Sequence, residues 1–210
     1  VAVIPFYGVN NPELFAIERH AMDRPGRVID RLDSLLPRGL VADIGAGDGF
    51  TAARLSRRDR KVLAIEPAMG MIDATSTLPW VQADAEALPF PGRSLDAAYA
   101  TWAYFFSRGF DPSPGLAELH RTVRRGGPIV IADNAGNDEF CSLSPQDISA
   151  DLSFWERKGF NVEVVETVFQ FETAAEADRL FSFYFGAPDP LGRTRLSYRV
   201  ALAIGASDGC

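Results

Sequence analysis

The stretch Leu40-Val41-Ala42-Asp43-Ile44-Gly45-Ala46-Gly47-Asp48-Gly49-Phe50 constrains the fold more than any other part of the chain. An apolar run of strand character ends at an acid, and three glycines follow at alternate positions. Thr51-Ala52-Ala53-Arg54-Leu55 then opens a helical pattern. Glycine tolerates φ > 0 and carries no side chain, so the backbone can bend sharply and a ligand can come close. A helix N-terminus behind such a turn is expected to present free N–H groups and the positive end of its dipole. The combination suits a carboxylate, a phosphate or a nucleoside. The spacing Gly-x-Gly-x-Gly puts Phe50 where a dinucleotide fingerprint has its third glycine, and no Gly-Lys-Ser/Thr follows for a Walker loop. Alone, the stretch could also be a plain strand-to-helix connector.

A chain of 210 residues that is 47% hydrophobic can bury one sizeable core, so a single domain is expected. A net charge of −7 gives no general footprint for nucleic acid or an anionic membrane. The basic clusters Arg54, Arg57, Arg58, Arg60, Lys61 and Arg121, Arg124, Arg125 fall at the ends of expected helices, where cations favour the dipole. Cys141 and Cys210 are far apart, as are His20 and His120, so neither a disulfide framework nor a metal site is expected. Val1 to Phe6 is apolar but too short to span a membrane and lacks a basic leader region. With no initiator Met, the expectation is a processed or trimmed chain that is soluble and cytoplasmic, a monomer or homodimer.

Along the chain, Asn11-Pro12-Glu13 reads as cap, first-turn proline and acid of a helix running to about Met22. A second helix starts near Pro25 and stops at Pro37 and Gly39. This leading segment, 1–39, is either packing or a lid, with Phe6, Tyr7 and His20 as the lid's working residues. Lys61 to Glu66 is a buried strand whose terminal acid can accept hydrogen bonds from ribose hydroxyls. A short helix is expected over Ala68 to Thr75 and a third strand over Pro79 to Ala83. The following Asp84 is placed to take an exocyclic amine, with a neighbouring N–H for a ring nitrogen. Leu95 to Ala100 is a fourth strand, followed by the aromatic block Trp102-Ala103-Tyr104-Phe105-Phe106, which divides between core and ligand wall. A helix over Leu116 to Arg125, a strand over Pro128 to Ala132, a loop to Ser144 and a helix from Ser144-Pro145 through Lys158 come next. Strands over Val162 to Phe171 and Leu196 to Ile204 flank a helix over Thr173 to Tyr184. This order implies an α/β fold: a doubly wound, Rossmann-like, mostly parallel seven-stranded sheet. Its last strand is antiparallel and helices lie on both faces.

Five segments in order resemble the class I S-adenosylmethionine-dependent methyltransferases, of the small-molecule type related to the ubiquinone/menaquinone C-methylases. They are Val41 to Gly49, Ala64-Ile-Glu-Pro67, Gln82 to Phe90, Leu95 to Ala100, and Leu116 to Gly127. The resemblance covers roughly Val28 to Ile204 and implies a methyltransferase domain over 40–205 with S-adenosyl-L-methionine as cofactor. It implies that Asp43 and the backbone of Gly45, Ala46, Gly47 and Gly49 hold the methionine portion. It further implies that Glu66 and the adjoining Pro67 meet the ribose and Met71 the adenine face. Asp84 and Ala85 would read the adenine edge, and Ala100 would face the sulfonium with its carbonyl.

Methyl transfer is an in-line displacement from a cationic sulfur, so alignment and exclusion of water can supply much of the rate. A hydroxyl or carbon acceptor needs a base. The sequence offers His20 and Tyr104 as acceptor-side candidates, in a site whose apolar surroundings point to a small apolar or aromatic acceptor. Two alternatives are a non-catalytic cofactor-binding partner or regulatory protein and a nicotinamide oxidoreductase, the latter disfavoured by Phe50 and by Asp84-Ala85.

Overall fold

The computed structural model describes residues 7–73, 75–105, 110–186 and 190–207. The N-terminal hexapeptide with Phe6, Phe106 of the aromatic block, and Cys210 lie outside the described residues. Helices α1 (Tyr7–Asn10), α2 (Pro12–Ala21) and α3 (Arg27–Leu35) lead into β1 (Gly39–Ile44), α4 (Phe50–Leu55) and β2 (Arg60–Ile65). Then come a single 3-10 turn at Met69–Met71, β3 (Trp80–Val81), β4 (Ala97–Thr101), α5 (Ser113–Thr122) and β5 (Pro128–Asn134). The chain continues through α6 (Glu139–Ser142), α7 (Leu152–Arg157), β6 (Asn161–Gln170), α8 (Ala174–Phe185) and β7 (Arg195–Ala206).

The strands form one sheet in the order β3-β2-β1-β4-β5-β7-β6. β1 to β5 are mutually parallel, and β7 is antiparallel to both its neighbours. The doubly wound sheet with an antiparallel last strand is therefore as expected. β1 sits centrally because its last four residues are wholly buried, and a strand covered on both faces cannot lie at an edge. On one face, Leu14, Val28, Leu32, Leu55, Leu180 and Phe181 from the helices meet Val41, Val62, Tyr99 and Tyr198 of the sheet. On the other, Leu116, Leu119 and Trp155 cover Ala42, Ile44, Ile65, Ala98 and Ile129. β1 pairs with β2 on one side and β4 on the other, so the winding reverses between the carboxyl ends of β1 and β4.

Several local expectations are corrected. The helix expected over Ala68 to Thr75 is only the 3-10 turn, and the third strand is only two residues long. The helix expected from Ser144-Pro145 begins at Leu152 instead, where the Asp151 carboxylate accepts the Phe154 N–H at 3.1 Å. Ahead of it, Ser144 Oγ accepts the Gln146 N–H and Asp147 accepts that of Ser149, side-chain bonds that compete with helix formation. The expected loop before Ser144 contains α6, capped by Asp138.

Arg60 ties the elements beneath the glycine turn together. Its buried guanidinium donates to the carbonyls of Asp33 and Leu36 at the end of α3, to Pro37, and to Leu55 at the end of α4. It also pairs with the Asp33 carboxylate at 2.6 Å. Helix-terminal carbonyls need such donors when buried. Arg60→Ala should therefore cost about 3 kcal/mol or more in urea unfolding, the scale for breaking a buried ion pair and stranding its partners. A loss below about 1 kcal/mol would contradict this role.

Candidate active site

The carboxyl ends of the parallel strands border a cavity of about 660 Å³. β1 contributes Gly45 and Gly47, β2 leads to Glu66 and Pro67, and the segment after β3 supplies Asp84 and Ala85. The other half is bordered by Thr101 at the end of β4, by Trp102 and Tyr104 after it, and by Asp133 and Asn134 of β5. Phe15 and Arg19 of α2, Met22 just after it, and Tyr184 and Phe185 of α8 also border it.

The glycine turn has positive φ at Gly45 (73°), Gly47 (59°) and Gly49 (78°). A Cβ on Gly45 would come within 2.5 Å of the Ala103 Cβ, and one on Gly49 within 2.9 Å of the Trp80 ring. Its N–H groups are not free as expected. Those of Gly45 and Ala46 both donate to the Ile65 carbonyl at 2.9 Å, and that of Gly47 donates to Glu66 Oε2 at 2.8 Å. The Phe50 N–H is taken by Asp48, and α4 has only six residues. The turn thus offers a ligand close backbone approach rather than a row of open donors. Glu66 also accepts the Ala68 N–H at 2.9 Å through its other oxygen, so both oxygens are anchored and their remaining lone pairs can serve a ligand. Burial raises its pKa against these two bonds.

Asp43 lies beneath the turn, 0% exposed, and neither carboxylate oxygen has a hydrogen-bond partner among the described residues. Burial pushes its pKa up to about 7, opposed by the nearby Tyr99 hydroxyl and the Arg19 guanidinium. Arg19 is itself held at 3.0 Å from Asp48 and lies over the rings of Phe15 and Phe50. Asp133, 8% exposed, is likewise raised to about 7 by burial, offset only by the Asn134 N–H.

Of the residues named from sequence, Gly45, Gly47, Glu66, Pro67, Asp84, Ala85 and Tyr104 come together on the cavity wall. Asp43, Ala46, Gly49, Met71 and Ala100 are buried and do not border it. His20 is elsewhere, its Nδ1 2.7 Å from the Ala16 carbonyl and its ring bordering a separate cavity of about 210 Å³. The Tyr104 hydroxyl donates to Glu86 Oε1 at 2.6 Å, and burial together with that carboxylate holds its pKa well above the usual phenol range, which unsuits it as a base. Sequence reasoning missed Asp133 and Arg19. Asp133 carried the signal used for Glu66, an acid closing an apolar strand; Arg19 carried none.

Between about pH 4 and 7 the folded chain holds protons on Asp43 and Asp133 that the unfolded chain has released, so stability falls as pH rises through that window. Thermal unfolding without ligand should show a lower midpoint at about pH 7.5 than at 5.5, reflecting up to roughly 2 kcal/mol for each group. The Asp43→Asn, Asp133→Asn double variant should lose most of that difference. If the variant keeps it in full, these carboxyls are not protonated in the folded state.

Residues 42–131 match a family model described as a methyltransferase domain. The chain is 30% identical over 129 residues to an uncharacterized methyltransferase of Mycobacterium tuberculosis, covering 59% of this chain and 52% of that protein. It is 33% identical over 100 residues to a demethylmenaquinone methyltransferase of Corynebacterium kroppenstedtii, covering 46% and 42%. The chain spans about half the length of such curated relatives. Its fold matches that of a SAM-dependent methyltransferase from Thermotoga maritima, with TM-score 0.61, 19% identity, and coverage of 96% of this chain and 99% of that one. No helix among the described residues is long and apolar enough to cross a membrane, and no group of three His, Cys, Asp or Glu residues there could hold a metal ion. Over residues 42–131 the chain is thus similar to a methyltransferase domain, and its seven-stranded sheet has the fold of the Thermotoga maritima protein.

Proposed function

We propose that the protein transfers a methyl group from S-adenosylmethionine to a small acceptor with an apolar or aromatic body. The observation that carries this reading is one continuous cavity with two unlike halves: a nucleoside-suited half at the tips of β1 to β3, and an aromatic half at the tips of β4 and β5. The residues present fit the cofactor. Glu66 can accept both ribose hydroxyls with Pro67 beside it, and Asp84 with the Ala85 backbone suits the adenine amine and ring edge. The methionine portion belongs over Gly45 and Gly47, and the orphaned Asp43 carboxyl beneath the turn favours a positively charged ligand above it.

When bound, the cofactor supplies a methyl group on a cationic sulfur. The protein's task is then to hold the acceptor in line and keep water out. Trp102, Phe110, Phe140, Tyr184 and Phe185 give the acceptor half aromatic surface, which can also stabilise positive charge. Phe15 and Arg19 of α2 border the cavity, which supports the lid reading of 1–39 over the packing one for this helix. Relatives named demethylmenaquinone methyltransferase support an acceptor with an apolar body.

Calorimetry with S-adenosylhomocysteine tests the reading. Wild-type protein should bind it, and Glu66→Ala should weaken binding by about 1.5–3 kcal/mol through loss of charge-assisted hydrogen bonds. Unchanged affinity would remove Glu66 from the ribose site, and no binding by the wild type would remove the cofactor assignment. Because Asp43 titrates near neutrality, binding of the ligand's amino group should release protons around pH 7. Calorimetric enthalpies in buffers of different ionisation heat read this directly; Asp43→Asn should abolish the release.

A further inference from the structure

We propose that the acceptor is an amine, held as its ammonium by Asp133 and methylated at that nitrogen. The inference rests on the methyl-transfer reading and specifies its substrate class. Ala132 pairs with Thr101 across β4 and β5, and the Trp102 N–H bonds the Ala132 carbonyl at 2.9 Å. Asp133 therefore stands beside the tip of β4, the boundary between the two halves of the cavity, where a methyl donor seated on the first three strands meets its acceptor.

Its carboxylate is buried on the cavity wall, and its Oδ1 accepts the Asn134 N–H at 2.7 Å. The neighbouring side-chain donors are already committed. Trp102 Nε1 donates to the Tyr198 hydroxyl at 2.6 Å, and that hydroxyl donates to Asn134 Oδ1 at 2.5 Å. Asn134 Nδ2 donates to the Ile148 carbonyl at 3.0 Å. Among the described residues, the titratable groups that act on Asp133 are Tyr198 on β7 and Cys141 on α6, both neutral acids whose own pKa values burial raises, so neither brings a positive charge.

Elsewhere on the wall, the acids Glu18, Glu66, Asp84, Glu86 and Asp147 outnumber the single cation among the described residues, Arg19. That guanidinium is engaged with Asp48. Such a field repels an anionic acceptor and draws a cationic one. A buried carboxylate without a cation is costly, and an incoming ammonium would supply the missing charge. The faces of Trp102, Phe140 and Tyr184 suit both the ammonium and an apolar body attached to it. An ammonium is not itself a nucleophile. Its N–H electrons become the lone pair that forms the N–C bond, the proton passes to the Asp133 carboxylate, and the electrons of the broken C–S bond stay on sulfur in the neutral thioether.

The test is calorimetry on protein saturated with S-adenosylhomocysteine, using 2-phenylethylamine, its neutral isostere 2-phenylethanol, and anionic phenylacetate. The amine should bind at least tenfold more tightly than the alcohol, and phenylacetate weakest. Asp133→Asn, close in shape to the protonated acid, should abolish the amine preference and leave S-adenosylhomocysteine affinity within twofold. Equal binding of amine and alcohol by the wild type, no amine binding, or a preference retained in the variant would overturn the proposal and leave the methyl-transfer reading standing. Failure of the wild type to bind S-adenosylhomocysteine would remove both.

Discussion

The turn that ends β1 is fixed from the neighbouring strand, and the rest of the site is arranged around that tie. The Ile65 carbonyl takes two successive N–H groups of the turn, and the Glu66 carboxylate takes a third. Two of those donors, Gly45 and Gly47, sit at positive φ, as does Gly49 at the start of α4, a conformation that glycine adopts without strain. The glycines also let Ala103 and Trp80 approach distances that a Cβ would forbid. The turn and the acid at the tip of β2 are thereby one rigid piece: Glu66 shapes the loop with one set of lone pairs and keeps the other set for a ligand.

Electrostatics follow from what this arrangement leaves uncompensated. Most charged groups of the chain find partners, as Arg31 does with Glu163 and Arg60 with Asp33. Asp43 and Asp133 form no ion pair among the described residues, although Arg19 lies near the first and the Asn134 N–H bonds the second, and both are buried near the carboxyl ends of their strands. Each lowers the stability of the empty protein at neutral pH, because burial disfavours its charged form. Strain or charge kept at a site is the usual signature of a ligand that relieves it. Trp102 adds a second such feature, with φ of 47° in a non-glycine residue held by its bonds to Ala132 and Tyr198.

The sheet was legible in the sequence because its signals are local: apolar runs closed by acids or glycines, with helical spacing between them. The doubly wound, mostly parallel sheet and its antiparallel last strand followed from those signals and the short connections, whereas the order of the strands did not. What was not legible depended on contacts between distant segments. Free donors at the glycine turn were expected because nothing in the sequence shows that Ile65 and Glu66 reach back to occupy them. The segment from Ser144 read as helix from its Ser144-Pro145 cap and from Gly159 at its end, whereas turn-forming Ser144, Asp147 and Asp151 decide its path. His20 was a candidate by residue type, yet its place on α2 takes it away from the larger cavity, while its neighbour Arg19 borders it. Asp133, at the end of a strand, was passed over; the role proposed for it depends on Trp102 after β4 and Tyr198 on β7, whose donors are used elsewhere.

A crystal structure of the protein grown with S-adenosylhomocysteine tests the central claim most directly. The account predicts the ribose on Glu66, the adenine beside Asp84 and Ala85, and the sulfur directed toward Trp102, with the half bordered by Asp133 left for the acceptor. A ligand bound elsewhere, or one whose ribose lies away from Glu66, would contradict it.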